Sequence, residues 1–178
     1  VVVADGPPDG SGAEAAAAGA VVVPHPINLG QGAALQTGIP YVLERPDARY
    51  LIPFDADGQH SPADAAAMVE RAEAEDLAIV LGSRFLDGSA DVGRLKRLVL
   101  RTAALASSRT SGMHLTDAHN GLRLIRRDAA QQLNLTQNRM AHASQIIRQL
   151  GATGLPSSEP GVSIAYTDYS RAQGPCPR

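Results

Sequence analysis

The feature that most constrains this fold is a regular alternation of apolar runs and helical patterns through the first half of the chain. The apolar runs are rich in Val, Ile and Leu, and they have the length and composition of buried strands. They cover residues 1–5, 21–25, 50–57 and 77–83. The intervening segments with helical character are 13–20, 31–45 and 61–76. Strands that alternate with helices predict a mostly parallel central sheet with helices on both faces, a three-layer α/β/α fold.

Local signals refine two of the predicted helices. Ser61 is predicted to be an N-cap, because Pro62 follows at the first helical position and Asp64 lies near the positive end of the helix dipole. Gly38 and Pro40 fall inside the segment 31–45 and are expected to kink or shorten that helix.

Polar and charged side chains follow three of the four predicted strands. Asp5 ends the first strand, Asp55 and Asp57 end the third, and Ser83 and Arg84 end the fourth. Ligands of such sheets bind beyond the carboxyl ends of the strands, so we expect these side chains to share one rim. An isolated Asp-x-Asp pair is usually a solvated turn. Its place beside the other strand ends favours a divalent-metal site instead.

The second half of the chain has a different pattern. Residues 93–112 carry an apolar stripe flanked by Arg94, Arg97 and Arg101, with no acid between residues 94 and 109. This pattern fits an ordinary surface helix, and it also fits a basic amphipathic helix at an anionic membrane surface or acceptor. Further along we predict a turn, short strand and helix over 117–133, a helix over 138–150 and a last strand over 162–171.

Composition excludes several classes of protein. The formal net charge is −2 and most basic residues are scattered, so no nucleic-acid partner is expected. No apolar run approaches the roughly 20 residues that cross a bilayer. Cys176 has no second cysteine to pair with, which suits a reducing compartment. We therefore expect a cytoplasmic domain, with peripheral contact at the inner face of the membrane through 93–112.

Six segments carry a family resemblance. In chain order they are VVVADGPPDGSG, NLGQGAALQTGI, FDADGQHSPAD, GSRF, DAHNGLRLIRRDAA and YTDYSRAQG. Together they resemble the family 2 glycosyltransferases, and within these the branch of dolichyl-phosphate mannose synthase and bacterial polyprenyl-phosphate sugar transferases. The resemblance covers nearly the whole chain. It implies a Rossmann-like GT-A fold in one domain, with a nucleotide-sugar-binding half over 1–90 and an acceptor-side half over 91–178.

The same resemblance implies a metal-dependent hexosyltransferase, of the inverting type, that uses Mg²⁺ or Mn²⁺. Its donor would be a UDP- or GDP-sugar and its acceptor a lipid phosphate, in particular a polyprenyl phosphate, or a sugar. The alternative is a truncated or degenerate nucleotide-sugar-binding domain with little or no turnover. A nucleotidyltransferase is a third interpretation, which the absence of a Gly-rich loop containing Arg or Lys disfavours.

The resemblance also implies three sets of site residues. The residues implied to be catalytic are Asp55, Asp57 and Arg123. Those implied to bind the nucleotide sugar are Val3, Asp5, Asp55, Ala56, Arg84 and Arg171. Those implied to bind metal are Asp55, Asp57 and Gln59. Within these sets, Asp5 matches an acid that contacts the base or ribose, and the arginines match positions near phosphates.

Elementary chemistry agrees with the implied metal site. A hard cation held by oxygen ligands would neutralise the diphosphate leaving group, and Mg²⁺ commonly takes one or two carboxylates plus phosphate oxygens. Asp55, Asp57 and Gln59 alternate along the chain, so they would face one side while the backbone stays extended.

A catalytic base is harder to assign. A sugar hydroxyl acceptor would need one, whereas a lipid phosphate, with a second pKa of roughly 6, is already anionic near neutral pH. We interpret the candidate histidines as structural or solvated, which favours a phosphate acceptor. They are His60, His114, His119 and His142.

The sequence departs from the family pattern at several points. The family's first strand would lie ahead of residue 1, so we expect a preceding segment to be missing from this sequence. Ala4 and Pro7 stand where the family usually has Asp and Ser, and Gln145 stands where relatives commonly have Glu. The last substitution removes an acid that we expected near the acceptor.

Overall fold

The computed structural model describes residues 1–6, 9–86, 108, 112–113, 115–117, 120–137 and 141–163. The strands are β1 Val2–Asp5, β2 Val22–His25, β3 Tyr50–Leu51, β4 Ile79–Leu81, β5 Arg123–Arg126 and β6 Ser157–Ser158. The helices are α1 Ser11–Ala17, α2 Gln31–Leu43, α3 Pro62–Ala74, α4 Arg127–Ala130 and α5 Ala141–Ala152. Within the described residues, no helix combines the length and apolar character needed to span a bilayer.

The strands form two sheets. β1 and β2 pair in parallel, and the second sheet has the order β3-β5-β4-β6. In that sheet β3, β4 and β6 run in one direction, while β5 lies between β3 and β4 and runs antiparallel to both. The expectation of a mostly parallel sheet therefore needs a correction at β5. A strand from the second half of the chain thus completes the sheet of the first half.

The core confirms the three-layer arrangement around this second sheet. Along β4, Ile79 and Leu81 belong to one apolar cluster and Val80 belongs to another, because successive side chains of a strand point to opposite faces. The first cluster is closed by Ile39 of α2 and by α5, which contributes Ile146, Ile147 and Leu150 to it. The second is closed by α3 through Met68 and Ala72. The predicted α/β layering is therefore present.

The third helix begins where capping chemistry predicts. Ser61 has extended backbone, and its hydroxyl accepts a hydrogen bond of 3.2 Å from the Ala63 N–H at the start of α3. Gly38 and Pro40 were expected to kink or shorten the second helix; α2 continues through Pro40 and ends at Leu43, slightly before the predicted end at residue 45. Pro40 is exposed, and it lies in the last turn of the helix.

The predicted third strand is shorter than expected. Regular pairing covers Tyr50–Leu51, and the chain then turns at residues 56–58, where Gly58 has a φ of +75°. The predicted helix over 93–112 lies almost entirely outside the described residues. The same holds for residues 164–171 of the predicted last strand. Short pairing by Ser157–Ser158, which the sequence pattern did not indicate, adds a parallel edge strand beside β4.

Candidate active site

Asp55 lies just beyond β3, and its carboxylate is held by neighbours from other parts of the chain. Oδ1 accepts a hydrogen bond of 2.7 Å from Nε2 of Gln31, the first residue of α2. Oδ2 lies 3.8 Å from Nε2 of His60, whose ring is almost completely buried. The Asp55 side chain is 43% exposed, so it remains accessible to a ligand. This strand-end acid is therefore oriented by the protein and also open to solvent.

Arg123 opens β5, the strand beside β3, and its guanidinium is buried. Burial lowers its pKa to about 10, and the charges of Asp55 and Asp117 act in the opposite direction. Its Nε donates to the carbonyl of Asn120 at 3.2 Å. With a pKa of about 10 the side chain is still a cation at neutral pH. A guanidinium that lines a cavity can donate hydrogen bonds to a phosphate bound there.

A cavity of about 500 Å³ brings four predicted site residues together. Its lining includes Val3, Asp55, Ala56 and Arg123, together with Gln31. The rest of the lining is mostly apolar and comes from the start of β1, from β3 and the residues that follow it, and from one side each of α2 and α5. Asp5, Asp57, Gln59 and Arg84 are not among its lining residues. The polar lining residues are therefore few, with the charged pair Asp55 and Arg123 joined by Gln31, Tyr50 and His142.

Asp57 and Gln59 follow Asp55 through a turn and not along extended backbone. Asp57 Oδ1 accepts a hydrogen bond of 3.0 Å from the Gln59 N–H, an interaction typical of Asp in turns. The expectation that all three side chains face one side by strand alternation was therefore wrong beyond Asp55. The turn itself keeps all three residues within one short loop.

Asp5 is the centre of a hydrogen-bond network at the end of β1. Oδ1 accepts from His25 Nδ1 at 2.8 Å and from the Leu29 N–H at 2.9 Å, and Oδ2 accepts from the Gly30 N–H at 2.7 Å. The pKa of Asp5 lies below its ordinary value: burial acts to raise it, but these hydrogen bonds outweigh that effect. These three hydrogen bonds occupy three of the roughly four acceptor positions of the Asp5 carboxylate, so about one position remains.

Arg84 forms a two-pronged ion pair with Asp117. Its Nε donates to Oδ2 at 2.6 Å and its Nη2 to Oδ1 at 2.9 Å. The Asp117 side chain is 1% exposed. The loop that carries Asp117 is held in turn by Glu159, which accepts hydrogen bonds from the Thr116 and Asp117 N–H groups. Arg84 is thus placed near the rim, as expected, with a protein carboxylate as its partner.

Two buried polar atoms near the site have no hydrogen-bond partner among the described residues. They are His60 Nδ1 and Asn120 Nδ2. Gly121 lies between these groups and the acid, since a Cβ added there would lie 3.1 Å from both Asp55 Oδ2 and His60 Nε2. Unpaired buried polar groups are uncommon and costly, and the His60 ring, which carries one of them, lies beside Asp55.

The donor set at residues 55–59 fits a hard divalent cation. Two carboxylates and an amide oxygen lie within one loop, and oxygen is the ligand type that Mg²⁺ and Mn²⁺ prefer. Among the described residues, no three side chains of the His, Cys, Asp or Glu type come together as a cation site. A cation held by Asp55 and Asp57 would therefore draw further ligands from Gln59 and from the phosphates of a bound nucleotide.

Gln145, where relatives were expected to have an acid, has a structural role. Its Nε2 donates to the Asn134 carbonyl and to Thr136 Oγ1, both at 3.1 Å. Its Oε1 accepts from the Thr136 N–H at 3.1 Å and from the Gln137 N–H at 2.9 Å. A carboxylate could not donate to the Asn134 carbonyl. The amide therefore anchors the loop before α5.

Sequence reasoning missed Gln31, His25 and Asp117 as members of this region. Gln31 and Asp117 stand in segments that carry the family resemblance, but neither is an obvious ligand or base. The signal for Gln31 was its place directly after Gly30 at the start of a helix, where a side chain is held at a sheet rim. Arg171, a predicted phosphate contact, lies outside the described residues.

Comparison with protein families matches residues 1–133 to the family described as glycosyl transferase family 2. An uncharacterized protein of Methanocaldococcus jannaschii is 32% identical over 179 residues, which cover 98% of this chain and 73% of that protein. The UDP-N-acetylglucosamine–dolichyl-phosphate N-acetylglucosaminyltransferase of Methanococcus voltae is 27% identical, with coverages of 86% and 62%. The polyprenol monophosphomannose synthase of Mycolicibacterium smegmatis is 35% identical, with coverages of 76% and 54%. This chain thus spans between about half and three quarters of the length of these relatives.

Solved structures agree on the architecture. Glucosyl-3-phosphoglycerate synthase from Mycobacterium tuberculosis in complex with UDP superposes with a TM-score of 0.61 at 20% identity, covering 93% of this chain and 60% of that one. The same enzyme in complex with Mn²⁺, UDP-glucose and phosphoglyceric acid gives a TM-score of 0.59 at 19% identity, with coverages of 94% and 60%. At these identities the likeness concerns the fold, and it confirms the GT-A architecture that the sequence predicted.

Proposed function

Because this chain belongs to glycosyl transferase family 2, we propose that it transfers a sugar from a nucleotide-sugar donor to a polyprenyl-phosphate acceptor, with a divalent cation bound at Asp55 and Asp57. The observation that carries the proposal is the meeting of Asp55 and Arg123 in the lining of one cavity, which also runs along β3 and the start of β1. An acid for the cation and a buried guanidinium for phosphate are the two groups that departure of a diphosphate requires.

The proposed reaction moves one glycosyl group. An acceptor oxygen bonds to the anomeric carbon of the donor while the bond from that carbon to the diphosphate oxygen breaks, and a nucleoside diphosphate leaves. The cation, Mg²⁺ or Mn²⁺, supplies positive charge to the diphosphate oxygens. Asp55, Asp57 and Gln59 would hold it. Arg123 would donate hydrogen bonds to a phosphate, and its burial strengthens that interaction because little water competes.

A phosphate acceptor is supported by its charge. A phosphate monoester has a second pKa of roughly 6, so its oxygen is already anionic near neutral pH and needs no dedicated base. The relatives named for dolichyl-phosphate and polyprenol monophosphate chemistry support the same class of acceptor. Such an acceptor lies in a membrane, which makes a peripheral location at the cytoplasmic membrane face part of this proposal.

The division of roles along the chain is also part of the proposal. Residues 1–90 would bind the donor, through Val3, Asp5, Ala56 and Arg84, and residues 91–178 would contribute Arg123, Arg171 and the acceptor side. The described part supports one cooperative domain, because β5 of the second half lies between β3 and β4 of the first.

The experiment that tests the function uses a panel of UDP- and GDP-sugars with MnCl₂ and a short polyprenyl phosphate. Transfer is detected as the glycosylated lipid by mass spectrometry. We expect Asp57→Ala to abolish transfer and the matched control Asp47→Ala, an exposed acid on another loop, to retain it. Nucleotide binding without transfer for any donor would instead favour a binding domain with little or no turnover.

A further inference from the structure

Building on the proposed function, we propose that Gln31 is a positioning residue that orients the Asp55 carboxylate for its cation. We further propose that Asp5 acts on the same carboxylate indirectly, by holding the loop that carries Gln31. Neither residue needs to touch the cation in this arrangement. Asp5, Gln31 and Asp55 lie on different elements and are linked by hydrogen bonds.

A hydrogen bond joins the side chains of Gln31 and Asp55. Gln31 Nε2 donates to Asp55 Oδ1 at 2.7 Å across 24 residues of sequence, so the tertiary fold creates this contact. The terminal torsion of an Asp side chain is broad and roughly two-fold, so an unpaired carboxylate rotates easily. One strong donor on Oδ1 fixes that torsion and leaves Oδ2 directed towards His60 and Gly121.

The backbone before Gln31 is held by Asp5. The two residues before it, Leu29 and Gly30, donate their backbone N–H groups to the two oxygens of Asp5 at 2.9 and 2.7 Å. Gly30 has a φ of +89°, a conformation that disfavours any other residue, and it is the residue that leads into α2. Asp5 is fixed by His25, whose other nitrogen bonds Thr37 of α2 at 2.9 Å. The backbone before Gln31 is thus anchored to the end of β1.

This hydrogen-bond network joins the two sheets. Among the described residues, β1 and β2 share no backbone ladder with the sheet that contains β3. Asp5 belongs to the first sheet, and Asp55 follows β3 of the second. The contacts from Asp5 through the loop to Gln31 and then to Asp55 therefore set the position of the metal-binding acid relative to β1.

The consequence is a measurable effect on cation affinity. Partners that orient a metal-binding side chain typically contribute 10–100-fold in metal affinity or activity when they are removed. Gln31→Met keeps the length of the side chain and removes the donor. We expect it to weaken Mn²⁺ binding by roughly 10–100-fold. Gln36→Met is the matched control, because Gln36 lies on the same helix and is not among the cavity's lining residues.

The experiment titrates the full chain with MnCl₂ and measures free Mn²⁺ by electron paramagnetic resonance, alone and with UDP or GDP. Wild type, Gln31→Met, Gln36→Met, Asp5→Asn and the double variant Asp5→Asn/Gln31→Met are compared. Support requires weaker binding for Gln31→Met and Asp5→Asn, unchanged binding for Gln36→Met, and a double variant no weaker than Gln31→Met by itself. Such non-additivity is the mark of residues that act through one network.

The opposing outcomes distinguish failure of the positioning roles from failure of the proposed function. Equal Mn²⁺ affinity for wild type and Gln31→Met overturns the positioning role while the proposed function stands. Additive effects of Asp5→Asn and Gln31→Met overturn the indirect role of Asp5 in cation binding. Absence of Mn²⁺ binding by the wild type with every nucleotide overturns the proposed function, and this inference with it.

Discussion

The guanidinium of Arg84 donates two hydrogen bonds, of 2.6 and 2.9 Å, to the buried carboxylate of Asp117. From the sequence, Arg84 at the end of the fourth strand was predicted to contact a phosphate. In the structure its charge is balanced by an acid 33 residues further along the chain. This pair fastens the loop at residues 115–117 to the end of β4. Asp117 also opposes the lowering of the Arg123 pKa, so it influences both cations near the rim.

Replacing Asp117 is predicted to destabilise the protein. Asp117→Asn replaces the buried carboxylate that pairs with Arg84 by a neutral amide. We expect a loss of about 1–3 kcal/mol in the free energy of unfolding. Asp128→Asn is the control, since Asp128 pairs with Arg126 on the surface and such pairs contribute about 0–1 kcal/mol. Urea unfolding measures both. Equal losses for the two variants would show that burial of the Arg84 pair has no energetic consequence.

Arg123 is predicted to matter for turnover more than for stability. Arg123→Met removes the buried cation while keeping an unbranched side chain, and we expect kcat/KM for the donor to fall by roughly 10²–10³-fold. The relieved desolvation of the guanidinium offsets part of the lost hydrogen bond to the Asn120 carbonyl, so we expect a smaller loss of about 1–3 kcal/mol in the free energy of unfolding. Arg123→Lys keeps the charge without the fork and should recover part of the activity. Steady-state kinetics and thermal unfolding test this pair of variants. Unchanged kcat/KM in Arg123→Met would contradict the phosphate role.

Gly121 is predicted to be needed for space beside Asp55. Its Cβ in Gly121→Ala would lie 3.1 Å from Asp55 Oδ2 and from His60 Nε2, closer than ordinary contacts, so the carboxylate must shift. We expect weaker Mn²⁺ binding with only a small change in the unfolding midpoint. Gly12→Ala is the comparison, because its Cβ would meet Ala4 and Val22 at 3.6 Å, which is ordinary contact. Stronger or equal Mn²⁺ binding in Gly121→Ala would refute the steric argument.

Acid stability is predicted to depend on Asp5. Its pKa in the folded protein lies below its ordinary value of 3.8, so the stabilisation it contributes is present above about pH 3.8 and is lost as the pH falls through the folded-state value. The Asp5→Asn variant lacks this titration, and its stability should fall less steeply between pH 5 and pH 3, an interval of about two units that brackets the ordinary pKa. Unfolding curves at several pH values measure both slopes. Identical slopes would mean that the hydrogen bonds to Asp5 do not favour its ionised form.

Gln145 is predicted to require its amide. In Gln145→Glu the group that donated to the Asn134 carbonyl becomes an acceptor inside a buried site, and we expect a loss of about 1–3 kcal/mol in unfolding free energy. Gln149→Glu is a graded control, because Gln149 bonds the same carbonyl from an exposed position. A Gln145→Glu variant with wild-type stability and increased transfer would instead assign this position to the acceptor site.

The sequence predicted those features that depend on neighbouring residues. The alternation of apolar runs gave the strand and helix order, and Ser61 followed by Pro62 marked the start of α3, because periodicity and capping act over a few residues. Asp5 and Asp55 were placed at strand ends for the same reason. Local pattern failed at residues 56–58, where the glycine-containing turn ended the expected strand alternation beyond Asp55.

The sequence by itself determined which acids stand at the rim, because the amino acid order alone sets strand ends and caps. The tertiary structure decided what each charged group meets. The antiparallel insertion of β5, the pairing of Arg84 with Asp117 and the contact of Gln31 with Asp55 all join segments at least 24 residues apart. Such contacts depend on how sheets and helices pack, and a local pattern carries no information about the partner that packing brings near.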